Sequence, residues 1–404
     1  MEILYVSRLC SESRLARLMA EQPVKPPLQE QKFHGLLARG LAAFATGVTA
    51  LSLLPPPPGK AGPRTEAETE EGIAYHYLAL RPVPFLSHAL VFAWSFLFCF
   101  RWCLARHDRP RFVVCDILDL SISAGARLAS KLAGVPAVAI VTDIPDILHD
   151  YIGGASSPLG RAVVGAYRSL STFLMHRYDA YVLLTEAMDP LVNPRRKPHL
   201  VMEGMVDPGM EQVANTLDGK FPERVVLYAG ALYAKYGVGA LLDAFLRVPL
   251  GDVRLWLYGS GELEGRIGDC AARDPRIRYW GVQPNREVVA AEVRATLLVN
   301  PRPSREAFTR FSFPSKNMEY MASGTPVLAT PLPGMPPEYL DHVYTFQDES
   351  VAGMAEALTR LLNRPREELH RRGQGAKAFV LERKSNVTQA GRIHAFLEAM
   401  APPA

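Results

Sequence analysis

Phe311 to Glu338 reads Phe-Ser-Phe-Pro-Ser-Lys-Asn-Met-Glu-Tyr-Met-Ala-Ser-Gly-Thr-Pro-Val-Leu-Ala-Thr-Pro-Leu-Pro-Gly-Met-Pro-Pro-Glu, a run punctuated by proline and glycine. Pro314 suits the first position of a helix, where its fixed φ and missing N–H cost nothing. Gly324 suits the left-handed residue just past a helix end. The spacing predicts a helix over 314–323 and a buried strand from Val327 to Ala329. The backbone N–H groups of Ser315 and Lys316 then point outward at the positive end of the helix dipole, where an anion is stabilised. Lys316 adds a full charge at that end. Glu319 falls four residues after Ser315 and three after Lys316, on the same face, and its carboxylate suits a pair of sugar hydroxyls. The stretch reads as a phosphate-binding helix with a strand behind it.

Working outward, the second half of the chain alternates strands and helices. Apolar runs at Val225 to Tyr228, Val253 to Tyr258, Ile277 to Tyr279 and Leu297 to Asn300 precede Val327 to Ala329. Val238, Leu241, Leu242 and Phe245 repeat at helical spacing after the first run. This alternation predicts a parallel, doubly wound sheet that binds ligands at the carboxyl ends of its strands. Candidates at those ends are Gly230, Lys235 in the loop from Ala231 to Gly237, Ser260 in the glycine turn 258–262, and Arg302 in Asn300-Pro301-Arg302. Arginine's forked donors suit phosphate or carboxylate groups. The Gly259-Ser260-Gly261 turn lacks the third glycine of a dinucleotide fingerprint, which argues against a nicotinamide enzyme.

The first half repeats the pattern, with strand-like runs at Glu2 to Val6, Val48 to Leu54, Ile73 to Leu80, Phe112 to Cys115, Ala137 to Thr142, Tyr181 to Thr185 and Leu200 to Gly204. Phe33, Leu36, Leu37, Leu41 and Phe44 mark a helix. The polar segments 8–27 and 55–71, both with prolines, are expected as loops. Asp143 and Asp146 follow an apolar strand, so they are either ligand contacts at the carboxyl edge or caps of turns around Pro145. A polar segment with Pro208, Gly209, Gly219 and Pro222 is expected as a linker. The resulting division is a domain over 1–205, a linker over 206–222, a second domain over 223–385, and a terminal helix with its tail over 386–404.

A chain of 404 residues, 48% hydrophobic and 21% charged, has ordinary globular composition and exceeds what one core supports. A net charge of +4 suits anionic nucleotides or an anionic membrane surface and is too weak to argue for nucleic acid. Five cysteines without a Cys-x-x-Cys pair indicate neither a disulfide framework nor a zinc site. No Asp-x-Asp cluster or histidine-cysteine spacing marks a metal. The N-terminus has no secretory signal pattern, so a cytoplasmic chain is expected.

Pro82 to Phe100 holds no charged residue over 19 positions. Its prolines, Ser87, His88 and Ser95 weaken a membrane span, and a buried strand follows closely. A buried or membrane-surface helix is the expectation, with peripheral membrane contact in view because aromatic residues stand beside Arg101, Arg106 and Arg109.

Pro-Ser-Lys-Asn-Met-Glu-Tyr-Met-Ala-Ser-Gly-Thr-Pro-Val resembles the donor-site helix of the family-4 retaining glycosyltransferases of the GT-B fold. The resemblance implies an α/β protein of two doubly wound Rossmann-like domains facing across a cleft, with a C-terminal helix crossing back to the first domain. It implies a metal-independent transferase without a cofactor, moving a sugar with retention from a nucleotide-diphosphate donor, a UDP-sugar first among them, to a hydroxyl of a saccharide or lipid-linked saccharide. By match, Glu319 holds the ribose, Ser315 and Lys316 hold the diphosphate, and backbone near Val282 meets the nucleobase. Lys235 and Arg302 join Lys316 in neutralising the leaving diphosphate, and Asp143 and Asp146 fall on the acceptor side. The sequence departs from the family pattern at Phe311, Ala231 and Tyr236, where Glu, Arg and Lys are usual, and Glu306 is the nearest replacement for the missing glutamate. Two other readings stay open: a nucleotide-sugar epimerase of the same fold, or a nucleotide-sugar-binding protein with weakened catalysis.

Overall fold

The computed structural model describes residues 1–21, 28–54, 64–79, 86–105, 108–144 and 158–401. The chain forms two compact units, one of Met1–Met205 with Asn386–Ala404 and the other of Val206–Ser385.

The first unit is built on β1 (Glu2–Ser7), β2 (Gly47–Leu54), β3 (Arg64–Glu70), β4 (Ile73–Ala79), β5 (Arg111–Asp116), β6 (Ala137–Val141), β7 (Ala180–Leu183) and β8 (His199–Val201). They lie in the order β3-β4-β2-β1-β5-β6-β7-β8, parallel except for the β3–β4 pair. Every residue of β6 and β7 is buried, as a strand covered on both faces requires, and this is why those strands read as unbroken apolar runs. The helices here are α1 (Glu12–Glu21), α2 (Leu28–Ala42), α3 (Leu86–Leu104), α4 (Leu120–Ala133), α5 (Pro158–Met175) and the short α6 (Asp189–Val192). After β1 the chain winds to one side through β2 and β4, then returns to the other side through β5. The strand order therefore reverses at β1, and a crevice opens at the carboxyl ends there.

The second unit has six parallel strands, β9 (Arg224–Ala229), β10 (Val253–Tyr258), β11 (Ile277–Gly281), β12 (Leu297–Asn300), β13 (Val327–Ala329) and β14 (Tyr344–Thr345), in the order β11-β10-β9-β12-β13-β14. Its helices are α7 (Val238–Leu246), α8 (Glu264–Arg273), α9 (Asn285–Arg294), α10 (Ser315–Ser323), α11 (Val351–Leu362) and α12 (Arg366–Lys384). The order reverses between β9 and β12, so Gly230 and Pro301 flank the switch point.

The terminal helix α13 (Asn386–Met400) belongs to the first unit, where it packs on α2. The approach is close: a Cβ at Gly40 would lie 2.5 Å from Asn386 O and 2.7 Å from Ala390 Cβ. Asn386 Nδ2 also donates to Leu36 O at 2.9 Å. Ala390, Ile393 and Leu397 complete the core cluster formed by Leu37, Leu41 and Tyr5.

Three expectations need correction. Residues 12–21, expected within a loop, form α1, because Leu15 and Leu18 alone suffice to pack it on the core. Residues 64–70, expected within a surface loop, form the edge strand β3, whose glutamates are held from the neighbouring elements. Glu68 accepts from Tyr77 at 2.8 Å, and Glu66 pairs with Arg14 at 2.7 Å. Residues 206–222, expected as a linker, are built into the second unit. Asn215 Nδ2 donates to Ser323 O at 2.7 Å, Lys220 Nζ donates to Val293 O at 2.8 Å, and the Phe221 ring lies 4.6 Å from that of Trp256.

Candidate functional site

Helix α10 begins one residue later than its proline implied. Pro314 is the N-cap, with ψ 110°, and its carbonyl accepts from Asn317 N at 3.0 Å, so Ser315 is the first helical residue. Gly324 closes the helix at φ 76°, its N–H donating to Met321 O at 3.0 Å. Two polar ties fix the inner face. The Tyr320 hydroxyl accepts from Ala229 N at 2.9 Å and lies 3.1 Å from Ala229 O, fastening the helix to the end of β9. Asn300 Nδ2 donates to Asn317 Oδ1 at 2.7 Å, with both residues buried. Breaking such a buried bond leaves an unsatisfied group and costs about 1–3 kcal/mol. The outer face presents Ser315, exposed, with Lys316 and Glu319 half-buried.

The side chain of Lys316 lies back across Gly230. A Cβ on Gly230 would overlap Lys316 Cε and Nζ, so the glycine makes room for the ammonium. The same corner is crowded by backbone. A Cβ on Gly259 (φ +118°) would overlap Gly230 O, one on Gly237 (φ +78°) would overlap Pro301 O, and one on Gly261 would lie 2.6 Å from Leu232 O. Gly230 N donates to Tyr258 O and Leu232 N to Ser260 O, each at 2.9 Å. The loops after β9, β10 and β12 thus meet the start of α10 at the carboxyl edge of the sheet. This edge brings Gly230, Ser260, Ser315 and Lys316 together.

Lys235 and Arg302 come to the same loop region through aromatic rings. Lys235 Nζ lies 5.6 and 5.3 Å from the ring centres of Tyr233 and Tyr236. The Arg302 guanidinium lies 4.9 Å from the Tyr236 ring and 5.4 Å from that of Phe308. Tyr236 therefore lies near both cations. Burial pushes the Tyr228 phenol up, with Arg302 opposing, so it stays protonated beneath Lys316. Val282 is 72% exposed after β11. Glu306 caps the 3-10 turn Ala307–Arg310, its carbonyl accepting from Thr309 N at 2.9 Å. Glu338 pairs with Lys384 at 2.6 Å, a structural tie.

In the first unit Asp143 is exposed just past β6, and Asp146 lies outside the described residues. The carboxyl ends of β1 and β5 carry a cluster that sequence reasoning missed. Tyr5 Oη lies 2.6 Å from His34 Nδ1, and His34 Nε2 lies 3.2 Å from Asp116 Oδ2, all buried. Arg8 Nε donates to Asp119 at 2.9 Å. Burial raises the Glu30 carboxyl above its ordinary value, with Arg8 opposing and Asp116 adding to the rise. The available signal was Asp116 ending an apolar strand, while His34 sat unremarked between Phe33 and Leu36. Among the described residues, no three His, Cys, Asp or Glu side chains gather as a metal set.

Residues 223–364 match the family described as Glycosyl transferases group 1. Among solved structures, the chain is similar to Anabaena HepE in complex with UDP and glucose, at 15% identity and TM-score 0.62 over 99% of this chain and 100% of that one. It is also similar to α,α-trehalose 6-phosphate synthase of Burkholderia multivorans, at 15% identity and TM-score 0.65 over 99% and 98%. Sucrose-phosphate synthase of Thermosynechococcus elongatus gives 15% and 0.64 over 99% and 100%. The fold is GT-B. Among curated proteins, none matches the chain by sequence. The GT-B likeness concerns the arrangement of strands and helices, and the family match lies within the unit that carries Gly230, Lys316 and Glu319.

Proposed function

We propose that this GT-B chain is a glycosyltransferase that takes a sugar from a nucleotide-diphosphate donor, with the donor site at the carboxyl edge of the second unit. One observation carries the reading: the ammonium of Lys316 rests over Gly230 at the start of α10, where helix dipole, outward amides and a glycine corner make a place for a diphosphate. The family match over 223–364 supports it, as do the UDP in complex with HepE and the UDP-forming reaction of the trehalose-phosphate synthase of Burkholderia xenovorans.

In this reading Glu319 accepts from the ribose hydroxyls, and Ser315 and Lys316 hold the diphosphate. The backbone near Val282 lies along the nucleobase. As the sugar–phosphate bond breaks, charge builds on the departing diphosphate, and Lys316, Lys235 and Arg302 stabilise it electrostatically. The cations take the part of a metal, so transfer is metal-independent, and it proceeds with retention. The donor is a UDP-sugar. The acceptor is a hydroxyl of a saccharide or lipid-linked saccharide, with Asp143 and Asp146 as its contacts. The enzyme works in the cytoplasm.

The test is binding and slow hydrolysis of a panel of nucleotide-sugars in EDTA, with native protein and Glu319→Ala. One donor bound and cleaved in EDTA, with both properties lost in the variant, is the expected result. A variant that binds as well as the native chain removes the site assignment. Conversion of the bound sugar without any acceptor would favour an epimerase.

A further inference from the structure

Helix α3 buries one stripe of small and medium-sized residues and leaves leucines exposed on the opposite side. Its buried positions are Val91, Ser95, Cys99 and Cys103, one every four residues. Gly125 of α4 lies so close to them that a Cβ there would overlap Phe92 O and lie 3.1 Å from Ser95 Cβ. Ser95 Oγ donates to Ile122 O at 2.6 Å. On the outside, Leu86, Leu90, Leu97 and Leu104 are 56%, 42%, 59% and 58% exposed. At about 100° per residue these leucines fall within about 40° of one another, about 180° from the centre of the buried stripe. Leu128 and Leu132 of α4, 41% and 63% exposed, extend the apolar surface.

By length and composition α3 could cross a membrane, and only 22% of it is buried. It is, however, the crossover between β4 and β5 and packs on α4, which holds it along the sheet. Its apolar face therefore lies parallel to any surface it meets.

Charge narrows the choice of surface. Helices α3, α4 and α5 contain no aspartate or glutamate, in a chain with 41 acidic residues, and they carry Arg101, Lys131, Arg161 and Arg168 besides the buried Arg127, which pairs with Asp179. Arg101 and Lys131 are exposed. A second copy of the same face would set the exposed Arg101 and Lys131 against cations, since these helices hold no carboxylate. An anionic bilayer offers both hydrocarbon for the leucines and phosphate for the basic side chains, and the rings of Trp94, Phe96 and Phe100 beside the stripe suit the headgroup level.

We propose that the outer face of α3, continued by Leu128 and Leu132, docks on the surface of an anionic lipid bilayer. The docking is independent of the donor site and goes beyond the transferase reading, although it would hold the enzyme where a lipid-linked acceptor resides.

The test is co-sedimentation of the full chain with vesicles of phosphatidylcholine alone and of phosphatidylcholine with phosphatidylglycerol. Native protein is expected to bind the anionic vesicles and to be released by salt. Leu97→Glu should lower partitioning by about tenfold or more, because it removes an apolar anchor and adds a repelled charge. Arg101→Ala should lower it about fivefold. Leu246→Glu, at an exposed leucine of the second unit, should bind like the native chain. Circular dichroism and nucleotide binding report whether each variant is folded. Absence of binding to anionic vesicles overturns the proposal, as does binding that Leu97→Glu leaves unchanged or that Leu246→Glu weakens equally. A dimer in solution that Leu97→Glu dissociates would assign the face to a second copy instead.

Discussion

Replacing Gly230 by alanine should damage nucleotide binding through Lys316 alone. The new Cβ would overlap the Cε and Nζ atoms of Lys316, which are the flexible end of a long side chain, so the side chain yields before the backbone does. An L-residue at φ +156° is strained, and that strain costs about 1–2 kcal/mol of global stability. In the proposed donor site, displacing the ammonium would remove a charge-assisted contact to the diphosphate worth about 1.5–3 kcal/mol, or roughly 10- to 150-fold in Kd. Lys316→Ala should lose a similar amount of affinity without the strain. In the double variant there is no ammonium left to displace, so its affinity for UDP should match either single variant, giving a coupling of about 1.5–3 kcal/mol in magnitude. Titration calorimetry with UDP on the four proteins, with urea unfolding alongside, measures both quantities. Additive losses of affinity, or a Gly230→Ala protein that binds UDP like the native chain, would refute the reasoning that the glycine serves the lysine.

Gly259→Ala should behave differently. Its Cβ would overlap the carbonyl oxygen of Gly230, which cannot swing away, so about 3 kcal/mol or more of stability should be lost in urea unfolding. Gly125→Ala should lower stability by about 1–3 kcal/mol, read from the unfolding midpoint, by forcing α4 off the backbone of α3. Lys220 gives a pH prediction: burial, with Arg366 nearby, lowers its amine from 10.5 to about 7. Between those values the unfolded chain holds a proton that the folded chain lacks, so stability should rise with pH by up to about 1.4 kcal/mol per unit, and the penalty is fully present below the lower value. Lys220→Met should flatten that slope relative to the native chain, as urea midpoints at the two ends of the window will show.

The strands were legible because parallel strands buried on both faces must be largely apolar: β6 and β7 are so throughout, β9 is after Arg224 and β12 is up to Asn300. Two elements were expected as loops, for opposite reasons. Helix α1 offers the core only Leu15 and Leu18, too few to show a period. Strand β3 carries glutamates at alternate positions because, at the sheet edge, its side chains meet Ser11, Arg14 and Tyr77 instead of apolar neighbours. At the candidate site, the start of α10 could be read from Pro314 and Gly324, since caps are local chemistry. Why Gly230 must be glycine could not be read, because the atoms that require it belong to Lys316, far along the chain. The Asn300–Asn317 and Tyr5–His34–Asp116 contacts were hidden by the same distance in sequence.

Helix α3 was expected from its apolar run, but its buried face was not, because hydropathy sums every side chain alike and cannot say which ones turn inward. Its pattern lies in size: Val91, Ser95, Cys99 and Cys103 recur at one turn's spacing, and they are the buried residues. Close packing against Gly125 selects small residues on that stripe, so the leucines and many of the rings have only the opposite or flanking sides left. Burial of small residues in one stripe and exposure of large ones in the other is thus a single consequence of how closely α3 and α4 approach. Among the described residues the leucines opposite that stripe stay exposed, which is why the docking proposed above is tested at Leu97 and not at the buried stripe.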